Sequence, residues 1–266
     1  MPELAAAPAE EGEKDSMPTM GFLDHLEELR KRVIYSIIAV GVGFGVCWWK
    51  VERIYEFVQR PITEVLTKHH LPAKLGFLNP TDPFNLYLKV AALAGLFLTS
   101  PFVLYQVWMF ISPGLYRNEK RYVIPFMIST IGLFLSGGYF GYRIVYPRAL
   151  DFLINMGSQF QPMITIGEYT QLFMSIVLGL GLIFEMPILV FFLAFMGIMS
   201  PSFMIKNFRY AILIIFILAA IITPTPDITN MCVFAAPMVI LYGLSIGVAF
   251  LVHPEQREKR EKAKQA

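Results

Sequence analysis

Six apolar runs, at about 33–49, 83–111, 122–142, 169–199, 208–222 and 231–252, leave this chain little choice of fold. A helix that crosses a bilayer needs about 20 mainly apolar residues. The second and fourth runs exceed that length, so they must tilt, kink or protrude, and Pro101 and Pro187 are placed to kink them. The fifth run falls short: at about 1.5 Å per residue it reaches roughly 22 Å, against about 30 Å of hydrocarbon. With 56% hydrophobic and 16% charged residues and a mean hydropathy of +0.56, the chain is too apolar to keep a soluble surface wet. The expected fold is all-α: a polytopic membrane protein of six transmembrane helices, with kinked second and fourth spans, a short fifth span and interfacial amphipathic helices.

The segments between the runs fill in the plan. Residues 1–20 are rich in Ala, Pro, Glu and Lys and are expected to form a disordered tail that is not a cleaved signal peptide. Residues 21–32 read GFLDHLEELRKR, with Phe22, Leu26 and Leu29 at helical spacing, which predicts an amphipathic surface helix ahead of the first span. Residues 50–82 carry an apolar stripe interrupted by Pro61 and predict one or two interfacial helices; residues 143–168 read as irregular. The six-helix membrane domain thus covers 21–252, and 253–266 is a charged tail.

Side is set by the basic residues. Lys14, Arg30, Lys31 and Arg32 precede the first span; Arg117, Lys120 and Arg121 follow the second, Lys206 and Arg209 the fourth, and Arg257, Lys259, Arg260, Lys262 and Lys264 the sixth. The opposite segments hold half as many: Lys50, Arg53, Arg60, Lys68, Lys74, Arg143 and Arg148. This excess places both termini in the cytoplasm, as in a bacterial inner membrane protein. A net charge of +2 gives no support to nucleic-acid binding. Cys47 and Cys232 both lie in apolar runs and no Cys/His group has metal-site spacing, so neither a metal nor another cofactor is expected.

Two places carry unusual chemistry. The first is the corner 105–121, YQVWMFISPGLYRNEKR, where Ser112-Pro113-Gly114 breaks a helix and Glu119 stands among Arg117, Lys120 and Arg121. The second is Glu185, just before Pro187 in the fourth run, because a charge at the bilayer centre is disfavoured by about 2.5–3.5 kcal/mol unless something compensates it. A structural, internally bonded Glu185 and a polar docking point are both open. The chain has no GxSxG, no HExxH and no paired intramembrane carboxylates, so no enzyme is expected. A secondary transporter with Glu185 as a midplane ion or proton site is the competing class, but the halves show no repeat.

Four motifs occur in order: His25-Leu26-Glu27-Glu28-Leu29-Arg30-Lys31-Arg32; the stretch from Pro101 to Arg121 with its LYQVW and PGLYxxE elements; Phe184-Glu185-Met186-Pro187; and Thr223-Pro224-Thr225-Pro226-Asp227. Together they resemble the TatC family, the large subunit of the twin-arginine protein translocase. The resemblance implies a six-helix receptor for signal peptides of folded cargo proteins, working with TatA and TatB type single-span subunits and with further copies of itself. It implies that Glu28, Glu119 and Phe110 form the signal-peptide site, with Arg121 beside them. It ties Glu185 and Asp227 to the small partners, and puts Met231 at a partner position where relatives can carry Gln. The chemistry agrees, since a planar guanidinium is well met by a carboxylate accepting two parallel hydrogen bonds. Trp108, Phe110 and Tyr116 are the expected source of desolvation around it.

Overall fold

The computed structural model describes residues 22–72, 74–111, 123–160, 163–195, 198–222 and 228–252. Nearly everything described is helical: α1 (Phe22–Trp49), α2 (Val51–Lys68), α3 (Asp82–Ile111), α4 (Val123–Phe140), α5 (Tyr146–Met156), α6 (Ile166–Ile183), α7 (Met186–Phe195), α8 (Pro201–Lys206), α9 (Phe208–Ile222) and α10 (Ile228–Val252). Among the described residues there is no strand beyond an isolated bridge between Gly76 and Thr165, which clips the segment before α3 to the start of α6. Five stretches are long and apolar enough to cross a membrane, and the shorter α9 is a sixth apolar helix.

Two elements differ from the sequence expectation, the start of the first crossing and the end of the third, while the break in the fourth falls where Pro187 placed it. The surface helix and the first span are one helix, α1, because no Gly or Pro interrupts the chain between Phe22 and Val40. The third crossing does not end in irregular chain at 143. Instead a π turn at Gly141–Val145 leads into α5. The Tyr146 N–H reaches back to the Gly141 carbonyl, and Pro147 falls in the first turn of α5, where a missing N–H costs least. The fourth crossing is split at Phe184 and Glu185 into α6 and α7, with Pro187 in the opening turn of α7. By contrast, α3 continues as one helix through Pro101.

The helices meet closely where side chains are absent. A Cβ on Gly95 of α3 would lie 2.7 Å from the Phe44 backbone nitrogen of α1, and one on Gly137 of α4 would lie 2.6 Å from the Leu180 carbonyl oxygen of α6. These positions let backbones approach in lipid, where packing rather than water exclusion drives association. The largest core joins α2, α5 and α6 through Ile62, Val65, Tyr146, Tyr169 and Phe173, at the end of the bundle remote from the start of α1. An aromatic knot holds the other end of α3 and α4 to α7: Trp108 lies 4.6 Å from Phe192, and Phe126 lies 3.9 Å from Phe191. Outward-facing Ile37, Ile38, Val42 and Val46 give α1 an exposed apolar face suited to lipid.

Candidate signal-recognition site

The first turns of α1 lie against the last turns of α3, and this pairing assembles a polar site from residues far apart in sequence. His25 stacks on Phe110 with ring centroids 4.4 Å apart. One turn along α1, Glu28 Oε1 accepts a hydrogen bond from Arg32 Nη2 at 3.2 Å, and Arg32 Nη1 donates to Gln106 Oε1 of α3 at 3.1 Å. Gln106 is only 4% exposed, so its amide is a fixed acceptor inside an otherwise apolar helix. Glu28 Oε2 and Arg32 Nε are buried without a hydrogen-bond partner among the described residues. An open cleft of about 300 Å³ lined by Asp24, Glu27, Glu28, Lys31 and Arg32 gives access to this corner.

Of the site residues expected from sequence, the structure brings Glu28 and Phe110 to one end of the α1–α3 pair. Glu119 and Arg121, with Tyr116, lie outside the described residues, as does Asp227. Trp108 departs from expectation: 3% exposed, it donates to Thr130 Oγ1 at 3.2 Å and packs on Phe126 and Phe192, so it ties α3 to α4 and α7 rather than walling Glu28. The aromatic cover beside Glu28 is Phe110 with His25. Arg32 and Gln106 were missed as a pair. The only signal was an amide in an apolar run, and the contact spans 74 positions in sequence.

Glu185 is separate, at the α6–α7 junction. Its carbonyl accepts from the Ile188 and Leu189 N–H groups, while its side-chain Oε1 is buried with no hydrogen-bond partner among the described residues. Gly137 of α4 faces this junction, where Phe184 is its close neighbour. Met231 sits in α10, half-buried against the main core, and so contributes packing where a polar side chain would seek a partner.

Known proteins share this chain's sequence and shape. The family model for the Sec-independent protein translocase protein TatC matches residues 24–237. The Koribacter versatilis Sec-independent protein translocase protein TatC is 64% identical over 253 residues, 95% of this chain and 93% of that protein. The Aquifex aeolicus protein of the same description is 36% identical over 245 residues, 91% of this chain and 98% of that one. A crystal structure of the twin-arginine translocase receptor TatC superposes with a TM-score of 0.74 at 35% identity, covering 86% of this chain and 99% of that one.

Proposed function

This chain belongs to the TatC family and is a membrane-embedded subunit of the Sec-independent protein translocase, and on that premise we propose that it is the receptor for twin-arginine signal peptides. The observation that carries the proposal is the corner of α1 and α3, where Glu28 offers a second carboxylate oxygen without a partner among the described residues, beside the His25–Phe110 stack. One guanidinium of the ligand pairs with Glu28 and the other with Glu119, each carboxylate accepting charge-assisted bonds. An ion pair in full contact with water would contribute only about 0–1 kcal/mol, so the aromatic cover and the burial of the site are part of recognition. The hydrophobic stretch of the signal peptide lies along the bundle. Both termini and this corner face the cytoplasm of a bacterial inner membrane, as the distribution of basic residues favours.

In the same reading Glu185, with Asp227 and Met231, receives TatA and TatB type single-span subunits, and further copies of the chain associate in the complex. The orphaned Glu185 oxygen supports a polar docking point in the membrane. Binding of a peptide with two consecutive arginines to membranes carrying single variants tests the receptor assignment. Glu119→Ala should abolish binding, Glu119→Asp should weaken it less, and Glu28→Ala should have a milder effect. Unchanged binding by both alanine variants, at normal abundance, would remove these carboxylates from the site.

A further inference from the structure

We propose that Arg32 is an internal occupant of the receptor carboxylate, an arginine of the chain that an incoming guanidinium must displace from Glu28, and that this competition lowers the affinity of every ligand at the site by one common factor. The proposal rests on the reading of Glu28 as a signal-peptide carboxylate.

The geometry of the pair is incomplete in an informative way. A guanidinium and a carboxylate bind best fork to fork, through two parallel N–H···O bonds. Arg32 gives Glu28 only one, from Nη2 at 3.2 Å; Nη1 is committed to Gln106 at 3.1 Å, and Nε is aimed at no acceptor among the described residues. Gln106, buried on α3, thus holds the guanidinium where it covers one oxygen of Glu28 and leaves Oε2 without a described partner. Glu28 and Arg32 are both mostly buried, with side chains 18% and 23% exposed, so the bond forms in a partly desolvated place. A simple helix-stabilising pair at this spacing would need no acceptor on a second helix.

An incoming arginine exchanges the single bond from Arg32 for a two-bond fork on the same carboxylate. A lysine has a compact, strongly hydrated ammonium that cannot form that fork, and it must give up more hydration to replace Arg32. Displaced Arg32 keeps its acceptor on Gln106. The preference for arginine lies in that fork, while the cost of displacing Arg32 is the same for either ligand, so the internal arginine weakens both by one factor and only a ligand that gains enough from Glu28 binds usefully.

Affinities of a twin-arginine and a twin-lysine peptide are measured for full-length wild type, Arg32→Gln and Arg32→Lys in membranes. Arg32→Gln should tighten both peptides by the same factor, about three- to fivefold, the scale of a part-exposed ion pair, and leave the arginine-to-lysine affinity ratio where it was. Arg32→Lys keeps the charge but cannot hold Glu28 and Gln106 at once as the guanidinium does, and should tighten both peptides by less. Affinities unchanged in both variants, or a loss of twin-arginine binding in Arg32→Gln as large as in Glu28→Ala, would overturn the proposal and make Arg32 a support for Glu28. If Arg32→Gln does not accumulate, Arg32→Lys decides alone, and unchanged affinities there overturn the competition. Failure of the underlying receptor reading looks different: wild type would bind the two peptides equally, and Glu28→Ala would be silent.

Discussion

The Tyr142 hydroxyl donates to the Phe57 carbonyl at 2.7 Å, and Phe57 lies four residues before Pro61 in α2. A helical residue at 61 would normally send its N–H to that carbonyl, and proline has none, so the tyrosine supplies what the proline withholds. Tyr169 adds a second bond of 2.7 Å to the next carbonyl, that of Val58. These two hydroxyls bind α2 over the end of the bundle opposite Glu28. Tyr142→Phe should destabilise the protein by about 1 kcal/mol in detergent unfolding, with a smaller loss in a Pro61→Ala background where the backbone N–H returns. Equal losses in both backgrounds would show that the hydroxyl and the proline are unrelated.

The contact between α1 and α3 that creates the Glu28 corner depends on one missing side chain. A methyl group on Gly95 would meet the backbone of Phe44 and Gly43 at 2.7–2.9 Å, and backbone cannot swing aside as a flexible side chain can. Gly95→Ala should cost about 1–3 kcal/mol and loosen Arg32 from Gln106, reducing twin-arginine peptide binding with it. Gly41→Ala, also in α1 but with nothing within 4 Å of the added carbon, should be neutral or slightly stabilising. Thermal unfolding and peptide binding of the two variants check the contrast, and equal behaviour would reject the close crossing.

What was legible in the sequence follows how local the physics is. The lengths of the apolar runs and the break at Pro187 are short-range signals, and α9 and the α6–α7 junction appear where those signals place them. Tyr146-Pro147 misled because proline reads as a stop, yet after a π turn it opens α5. The basic cluster Arg30-Lys31-Arg32 suggested a boundary between surface helix and span, although charge alone does not break a helix, and α1 runs through it. The Arg32–Gln106 bond was out of reach, since which face of α1 meets which face of α3 is decided by the Gly43–Gly95 crossing, not by either segment alone.

The short α9 makes a prediction about the membrane itself. Its 15 residues, Phe208–Ile222, reach roughly 22 Å, while Leu213, Ile214, Ile217 and Ile221 face outward. Either neighbouring helices shield its ends or the bilayer thins around it, and its outward apolar face predicts thinning, since polar ends are not left in hydrocarbon. Spin labels along α9 should report water near both ends and a narrow dry centre, narrower than along α4 and α5, where the apolar stretch Ile124–Met156 is far longer. Dry zones of equal width on the two helices would reject local thinning.

Glu185 gives the sharpest division of labour. Its carboxylate interrupts the fourth crossing between α6 and α7, with Oε1 buried and without a described partner, while the Arg32–Glu28–Gln106 corner is built from α1 and α3 alone. A buried polar group left unmet opposes stability, so Glu185→Leu should raise the unfolding temperature of the isolated chain, by an amount corresponding to about 1 kcal/mol or more. On the proposed reading the same group is met by a polar group of a single-span partner, so removing it should harm assembly. Glu185→Ala should leave twin-arginine peptide binding nearly intact yet reduce co-purification of the small subunit and cargo export. Glu185→Gln should be milder, because an amide still offers donor and acceptor without charge. Peptide binding and partner co-purification are measured side by side on the same membranes. Lost peptide binding with partner assembly preserved would move Glu185 out of the docking surface and into the path of the signal peptide.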